Sequence, residues 1–172
     1  MKKPKLYLLK SLPGAGKSTW SREQIDKNPN LYVRVNKDDL RNMMNNGHWS
    51  KANEKFVNQV QELIIKAALV EGKHVLFDNT HLHPKWDQKA KELAAECGAE
   101  LEVKFFDVSV EECIKRDLKR MNSVGKDVIT KMYRDFLQKP VAPLIQDETL
   151  PSACICDLDG TLCKMNDKRG PF

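Results

Sequence analysis

No stretch of the 172-residue chain approaches ~18 consecutive apolar residues, so no membrane-spanning helix is expected. The basic start, Met1-Lys2-Lys3-Pro4-Lys5, leads into only a short apolar run and does not read as a signal peptide. Cysteine is sparse. Five residues (Cys97, Cys113, Cys154, Cys156, Cys163) make an odd set without metal-ligand spacing, which argues against both a disulfide framework and a zinc site. Cys154 and Cys156 share one face of an expected strand and read as buried thiols, so a reducing, cytoplasmic setting is expected. No internal repeat or low-complexity tract appears. The charge is not strongly one-sided: 29 Lys and Arg stand against 24 acids, a net of +5. That balance suits a polyanionic partner and a partnerless solvated face equally well. With 41% hydrophobic and 31% charged residues, the chain reads as one well-packed domain with a little left over.

What is present is organised around Ser11-Leu12-Pro13-Gly14-Ala15-Gly16-Lys17-Ser18-Thr19. An apolar run, Leu6 to Leu9, precedes it as a buried strand, and a helical pattern with Trp20 and Ile25 follows. Strand, glycine-bearing turn and helix closing on Gly-Lys-Ser is the setting of a phosphate-binding loop. Main-chain N–H groups there curl into an anion-sized nest at a helix N-terminus. Lys17 then reaches the terminal phosphates of a nucleotide, and the Ser18 hydroxyl serves as a magnesium ligand. Ser11 stands where the full motif has its first glycine, a position a residue of negative φ can fill.

Further strands are expected at Leu31 to Val35, His74 to Phe77 and Leu101 to Phe106, each followed by a helical pattern. Ser50 opens a long helix with Phe56, Val60, Leu63, Ile64 and Ala67 as its apolar stripe and Gly72 as its stop. Ser109-x-x-Glu112 is a capping box for a helix burying Val110, Cys113, Ile114, Leu118 and Met121. Another helix runs from about Asp127 to Gln138. Such alternation predicts an α/β fold, about four parallel strands flanked by helices. Ligands of parallel sheets bind beyond the strands' carboxyl ends. The phosphate loop, Asp38 to Arg41 and Asp78 to His81 are therefore expected to converge on one crevice.

Each cluster offers groups for phosphoryl transfer. Asp38 and Asp39 are candidate bases for an acceptor hydroxyl, and Arg41 shares a helical face with Asp38, suited to an anionic acceptor group. A helix N-cap or a merely exposed carboxylate is the structural alternative for Asp38. Asp78, ending an apolar strand, suits magnesium held through water, or with Thr80 caps the following turn. His81 and His83 lack a third ligand and read as exposed or acceptor-contacting side chains. Arg116 and Arg120, four apart, are placed on one helical flank as a lid pair for the β- and γ-phosphates, or as solvated partners of nearby acids.

The runs Pro13-Gly14-Ala15-Gly16-Lys17-Ser18-Thr19-Trp20, Asn36-Lys37-Asp38-Asp39-Leu40-Arg41, Asp78-Asn79-Thr80-His81-Leu82-His83-Pro84 and Lys115-Arg116…Lys119-Arg120, in this order, resemble the bacteriophage polynucleotide kinase/phosphatases. The resemblance implies a P-loop kinase fold with a helical lid, phosphorylating 5′-hydroxyl ends of DNA or RNA from ATP with Mg2+ in the cytoplasm, the host's if the chain is phage-encoded. It implies Lys17, Asp38 and Arg120 as catalytic residues, with Asp38 the base. Nucleotide contacts fall on Pro13 to Thr19, Arg116 and Arg120, the metal on Ser18, and acceptor contacts on Asp38, Arg41, Asp78, Asn79 and Thr80. The phage pattern has aspartate at the position of Asn79, so the roles of Asp78 and Asn79 stay open. Residues 1–138 would be the kinase domain, 139–152 a linker, and 153–172 the start of a haloacid-dehalogenase-type phosphatase domain, whose D-x-D-G-T opening Asp157-Leu158-Asp159-Gly160-Thr161 resembles. Its remaining acids would lie beyond Phe172, so no 3′-phosphatase activity is expected of this chain. A zeta-toxin-like or small-metabolite kinase and a nucleotide-gated binding protein are the alternatives; homo-oligomerisation is left open.

Overall fold

The computed structural model describes residues 3–139. The 139–152 connector beyond its first residue, and the segment carrying Asp157 and Asp159, lie outside the described residues. Four strands, β1 (Lys5–Lys10), β2 (Tyr32–Val35), β3 (His74–Asp78) and β4 (Glu100–Phe105), form one all-parallel sheet in the order β2-β3-β1-β4. Six helices join and flank them: α1 (Lys17–Lys27), α2 (Lys37–Asn45), α3 (Lys51–Val70), α4 (Lys85–Glu96), α5 (Val110–Asp117) and α6 (Lys126–Phe136).

β1 and β3 read as near-continuous apolar runs because both their faces are covered: Leu6, Leu8, Leu9, Val75, Leu76 and Phe77 are all buried. They pair in register from Leu6–Val75 to Leu9–Asp78. The chain places β2 and β3 on one side of β1 and β4 on the other. The reversal of strand order therefore opens a crevice past the carboxyl ends of β1 and β3. The main core fills the space between the sheet and α2, α3 and α4. A second, smaller cluster (Leu12, Ala15, Leu82, Cys113, Ile129) seats α5 and α6 against the loop that follows β1.

Local chemistry fixes the helix ends. Asn36 Oδ1 accepts the N–H groups of Asp38 (2.9 Å) and Asp39 (3.1 Å), which starts α2. Ser50 and Ser109 cap α3 and α5 in the same way. Gly72, in the left-handed region at φ 77°, closes α3 with Lys73 N–H returning to Ala68 C=O.

Two expectations about helix faces fail. In α3 the buried positions are Val57, Gln61, Ile65, Ala68 and Leu69. The expected stripe is rotated outward: Phe56 and Leu63 are 54% and 65% exposed, Ala67 is exposed, and Val60 and Ile64 are partly buried at its edge. The apolar arc of α3 is wider than one face, and the polar Gln61 at the true centre hid it. In α5 the helix stops at Asp117, leaving Leu118 and Met121 solvent-exposed in the turn rather than buried.

Candidate nucleotide and acceptor site

Pro13 to Gly16 form the turn after β1 and Lys17 to Thr19 the first turn of α1, so the loop sits at a helix N-terminus. Gly14 and Gly16 hold φ of 83° and 96°, which side chains rarely adopt. At Gly14 a Cβ would lie 2.3 Å from the Cys113 carbonyl oxygen, so α5 approaches the loop as closely as a bare backbone allows. Lys17 is buried, and its Nζ donates to Ser11 Oγ at 2.7 Å and to Leu12 C=O at 3.1 Å. Ser11, the departure from the glycine motif, thus gives the ammonium a side-chain acceptor.

Burial pulls the Lys17 ammonium down to about 8, against the opposing pull of the Asp78 carboxylate. Below pH 8 both folded and unfolded states carry this proton. Between 8 and the ordinary 10.5 the unfolded chain holds more of it, so this group's contribution to stability rises with pH. A polyphosphate beside Nζ reverses the shift. Nucleotide binding above pH 8 is therefore expected to take up close to one proton, and affinity to fall by as much as about tenfold per pH unit. Calorimetry in buffers of different ionisation enthalpy measures the uptake; binding without uptake at pH 9 would contradict the placement of Lys17.

The three expected clusters do converge. Asn36 Nδ2 donates to Asp78 C=O, Lys37 N–H to Asn79 Oδ1 (3.0 Å), and Ser11 N–H to Thr80 C=O (3.2 Å). Asp78 is buried; Arg34 Nε donates to its Oδ2 at 2.6 Å, and Arg34 also pairs with Asp39. Asp78 Oδ1 is buried without a hydrogen-bond partner among the described residues. An orphaned carboxylate oxygen at the end of β3, next to the strand β1 whose loop leads into Ser18 at the start of α1, suits a hydrated Mg2+. No group of three or more His, Cys, Asp or Glu able to hold a metal exists among the described residues. Such a cation would rest on Ser18, water and nucleotide phosphate.

His81 is not exposed. It is buried at φ 48° against the rings of Phe77 and Trp86 (centroids 4.1 and 5.2 Å), and desolvation drives it down to about 3, hence neutral. Its Nδ1–H donates to Leu9 C=O (3.0 Å), leaving Nε2 to accept from Asn79 Nδ2 (3.3 Å), a tautomer assigned from these partners. This strut turns Asn79 Oδ1 toward α2. His83 is exposed and meets the ring of Phe136.

On α2 the N-cap is Asn36, which leaves the Asp38 carboxylate uninvolved in capping; its side chain is 80% exposed and pairs with Arg41. Arg41 is held on its other edge by Glu54 of α3: Nε and Nη2 donate to the two carboxylate oxygens, each at 2.9 Å. Glu54 had no motif to mark it in the sequence. This fork fixes the guanidinium plane, and the remaining Nη1 donates to Asp38 Oδ1. Hydrogen bonding to Arg41 holds the Glu54 carboxyl below its usual range.

The lid arginines differ from expectation. Arg120 lies beyond α5, so the two are not on one helical flank. The cause is Asp117, fully buried, whose carboxylate accepts Ser123 Oγ (2.7 Å), Val124 N–H (2.9 Å) and Gly125 N–H (3.1 Å) and thereby folds the 118–125 turn back on the helix. Burial raises the Asp117 carboxyl, but these hydrogen bonds outweigh it and hold it below the ordinary value. Arg120 pairs with Asp117 (3.4 Å) and Arg116 with Glu112 (2.7 Å), both about half exposed. Asp117→Ala is expected to cost about 2 kcal/mol by orphaning these donors, a fall of ~4–8 °C in Tm by calorimetry. An unchanged Tm would remove Asp117 as the anchor of this turn.

A model of the AAA domain family matches residues 6–140. The chain belongs to this family. With it, the sheet order and the glycine loop establish the expected P-loop kinase fold. A putative bifunctional polynucleotide kinase/RNA ligase of Autographa californica nuclear polyhedrosis virus is 28% identical over 178 residues, 91% of this chain and 24% of the viral protein. The L-seryl-tRNA(Sec) kinase of Methanococcus maripaludis is 25% identical over 135 residues, 76% of this chain and 52% of that protein. A chain of the Pnkp1/Rnl/Hen1 RNA repair complex superposes with a TM-score of 0.67 at 30% identity, covering 90% of this chain and 53% of the other. The chain thus spans about a quarter of the viral relative and about half of the other two.

Proposed function

We propose that residues 1–138 are a 5′-hydroxyl polynucleotide kinase, moving the γ-phosphate of ATP to 5′-OH ends of DNA or RNA. What supports this reading is the exposed Asp38 carboxylate on the helix that starts at the end of β2, beside an arginine whose plane Glu54 fixes. Loop N–H groups and Lys17 hold the β- and γ-phosphates. Arg41 receives a phosphate of the acceptor strand, and Asn79 and Thr80 line its path. Asp38 takes the 5′-hydroxyl proton as that oxygen bonds to the γ-phosphorus and the bridging bond to the β-phosphate breaks, leaving ADP. Arg116 and Arg120 exchange Glu112 and Asp117 for the transferring phosphoryl group as the 118–125 turn closes. Ser18, with Asp78 nearby, would hold Mg2+, which would supply neutralisation of the phosphate charge.

The polynucleotide kinase and RNA repair relatives support an acceptor of nucleic acid. No helix among the described residues is long and apolar enough to cross a membrane, and we place the protein in the cytoplasm, the host's if phage-encoded. The D-x-D-G-T run extends the proposal to an end-healing protein with a phosphatase domain opening at 153. The test is a competition for labelled ATP among a 5′-hydroxyl oligonucleotide, free nucleosides, sugars and seryl-tRNA. Label confined to the oligonucleotide supports the reading; label on a sugar or on seryl-tRNA instead assigns the site to another kinase class.

A further inference from the structure

Asp38 and Asp39 are adjacent carboxylates with different partners. That of Asp38 pairs with Arg41, whereas that of Asp39 accepts from Arg34 Nη1. Arg34 lies in β2, no motif marks it, and its side chain is only 11% exposed. It pairs with Leu76 across β2 and β3, so the two-residue period of a strand puts Asp78 on the same sheet face. Its Nε donates to Asp78 Oδ2 at 2.6 Å. One guanidinium thus spans the first turn of α2 and the end of β3. Asn36 links the same two places a second time, capping α2 and donating to Asp78 C=O. Burial works against the Arg34 charge, but the hydrogen bonds to Asp78 and Asp39 outweigh it and raise the group above its ordinary value. A guanidinium suits this place where an ammonium does not. Its donors point apart in one rigid plane, so two separate carboxylates are held at a fixed spacing and angle. The charge of Asp78 in turn acts on the Lys17 ammonium. Arg34 therefore connects the helix that presents Asp38 to the carboxylate felt by the phosphate-loop lysine.

We propose that Arg34 is a positioning residue for phosphoryl transfer, with Asp39 as its arm on α2, an assignment that rests on the kinase reading above. The Asp39–Arg34–Asp78 bridge sets the first turn of α2, and with it Asp38, against the end of β3. Asp39 is then not the base: its carboxylate is occupied by Arg34, and the acceptor proton goes to Asp38. In-line transfer tolerates little displacement, and an error of about 1 Å can cost about a hundredfold in rate.

The test is steady-state transfer to a 5′-hydroxyl oligonucleotide by Asp39→Asn and Arg34→Lys in the full chain. Asp39→Asn cuts the bridge at its exposed end and leaves Arg34 paired with Asp78, so the fold is kept. Arg34→Lys retains a charge for buried Asp78 but cannot hold both carboxylates. Each is expected to lower kcat by about 10–100-fold, with KM for ATP within about twofold and Tm of Asp39→Asn within ~2 °C of the wild type. The double variant is expected to be no slower than the slower single one, because both changes break one bridge. The acidic limb of the kcat/KM profile against pH, which reports the base, is expected to persist in Asp39→Asn. Unchanged kcat in Asp39→Asn, or losses that add in the double variant, reduces the bridge to a structural tie and overturns the proposal. Disappearance of the acidic limb overturns it too, by making Asp39 itself the base. In each of these cases wild-type transfer leaves the kinase reading standing; a wild-type chain that transfers nothing ends both. If Arg34→Lys does not fold, Asp39→Asn alone decides.

Discussion

Asp38→Ala is expected to lower transfer to a 5′-hydroxyl end by about 10²–10⁴-fold, the range for a positioned general base, while ATP affinity stays within about twofold. The structure makes this substitution interpretable. Asn36, not Asp38, caps α2, and the Asp38 carboxylate is mostly solvent-exposed with Arg41 as its ion partner. Truncating such a side chain changes stability by about 0.5 kcal/mol or less, so lost turnover cannot be charged to unfolding. Single-turnover transfer and nucleotide titration separate the two quantities. A variant that loses ATP affinity in step with transfer would move Asp38 from base to nucleotide contact.

Lys17→Met is expected to be the more severe change, about 10³-fold in transfer or beyond, and to weaken nucleotide binding as well. Here the ammonium is buried and, among the described residues, donates to Ser11 and Leu12. Its burial is unfavourable enough to pull the group toward neutrality, so a methionine of similar length relieves a buried charge while orphaning weaker partners. Folding, followed by circular dichroism, is expected to survive where activity does not. Retention of transfer within tenfold of the wild type would take Lys17 out of the phosphate site.

The sequence shows the site's frame wherever chemistry is local. A glycine loop between an apolar strand and a helix admits few conformations, and the polar runs at Asp38 and Asp78 fall at strand ends that a parallel sheet must bring together. Hidden were the residues that act across sequence distance. Glu54 reaches Arg41 from another helix thirteen positions on, and no spacing rule marks such a pair. Asp117 carries no motif to mark it, yet three donors from the turn bury it and end α5 early, which is why Arg120 leaves the flank shared with Arg116. His81 looked polar by type; its neighbours Phe77 and Trp86 make it a buried neutral strut. The α3 stripe was misplaced for the converse reason, a polar Gln61 sitting where periodicity expects an apolar side chain.

The account turns on one crevice joining a held triphosphate to the end of a nucleic-acid strand. Incubating the protein with γ-labelled ATP, Mg2+ and a 5′-hydroxyl oligonucleotide, then locating the label by nuclease digestion, tests this most directly. Label is expected solely on the 5′-terminal nucleotide, formed in step with ADP. An unlabelled strand, with ATP bound or hydrolysed, would contradict it.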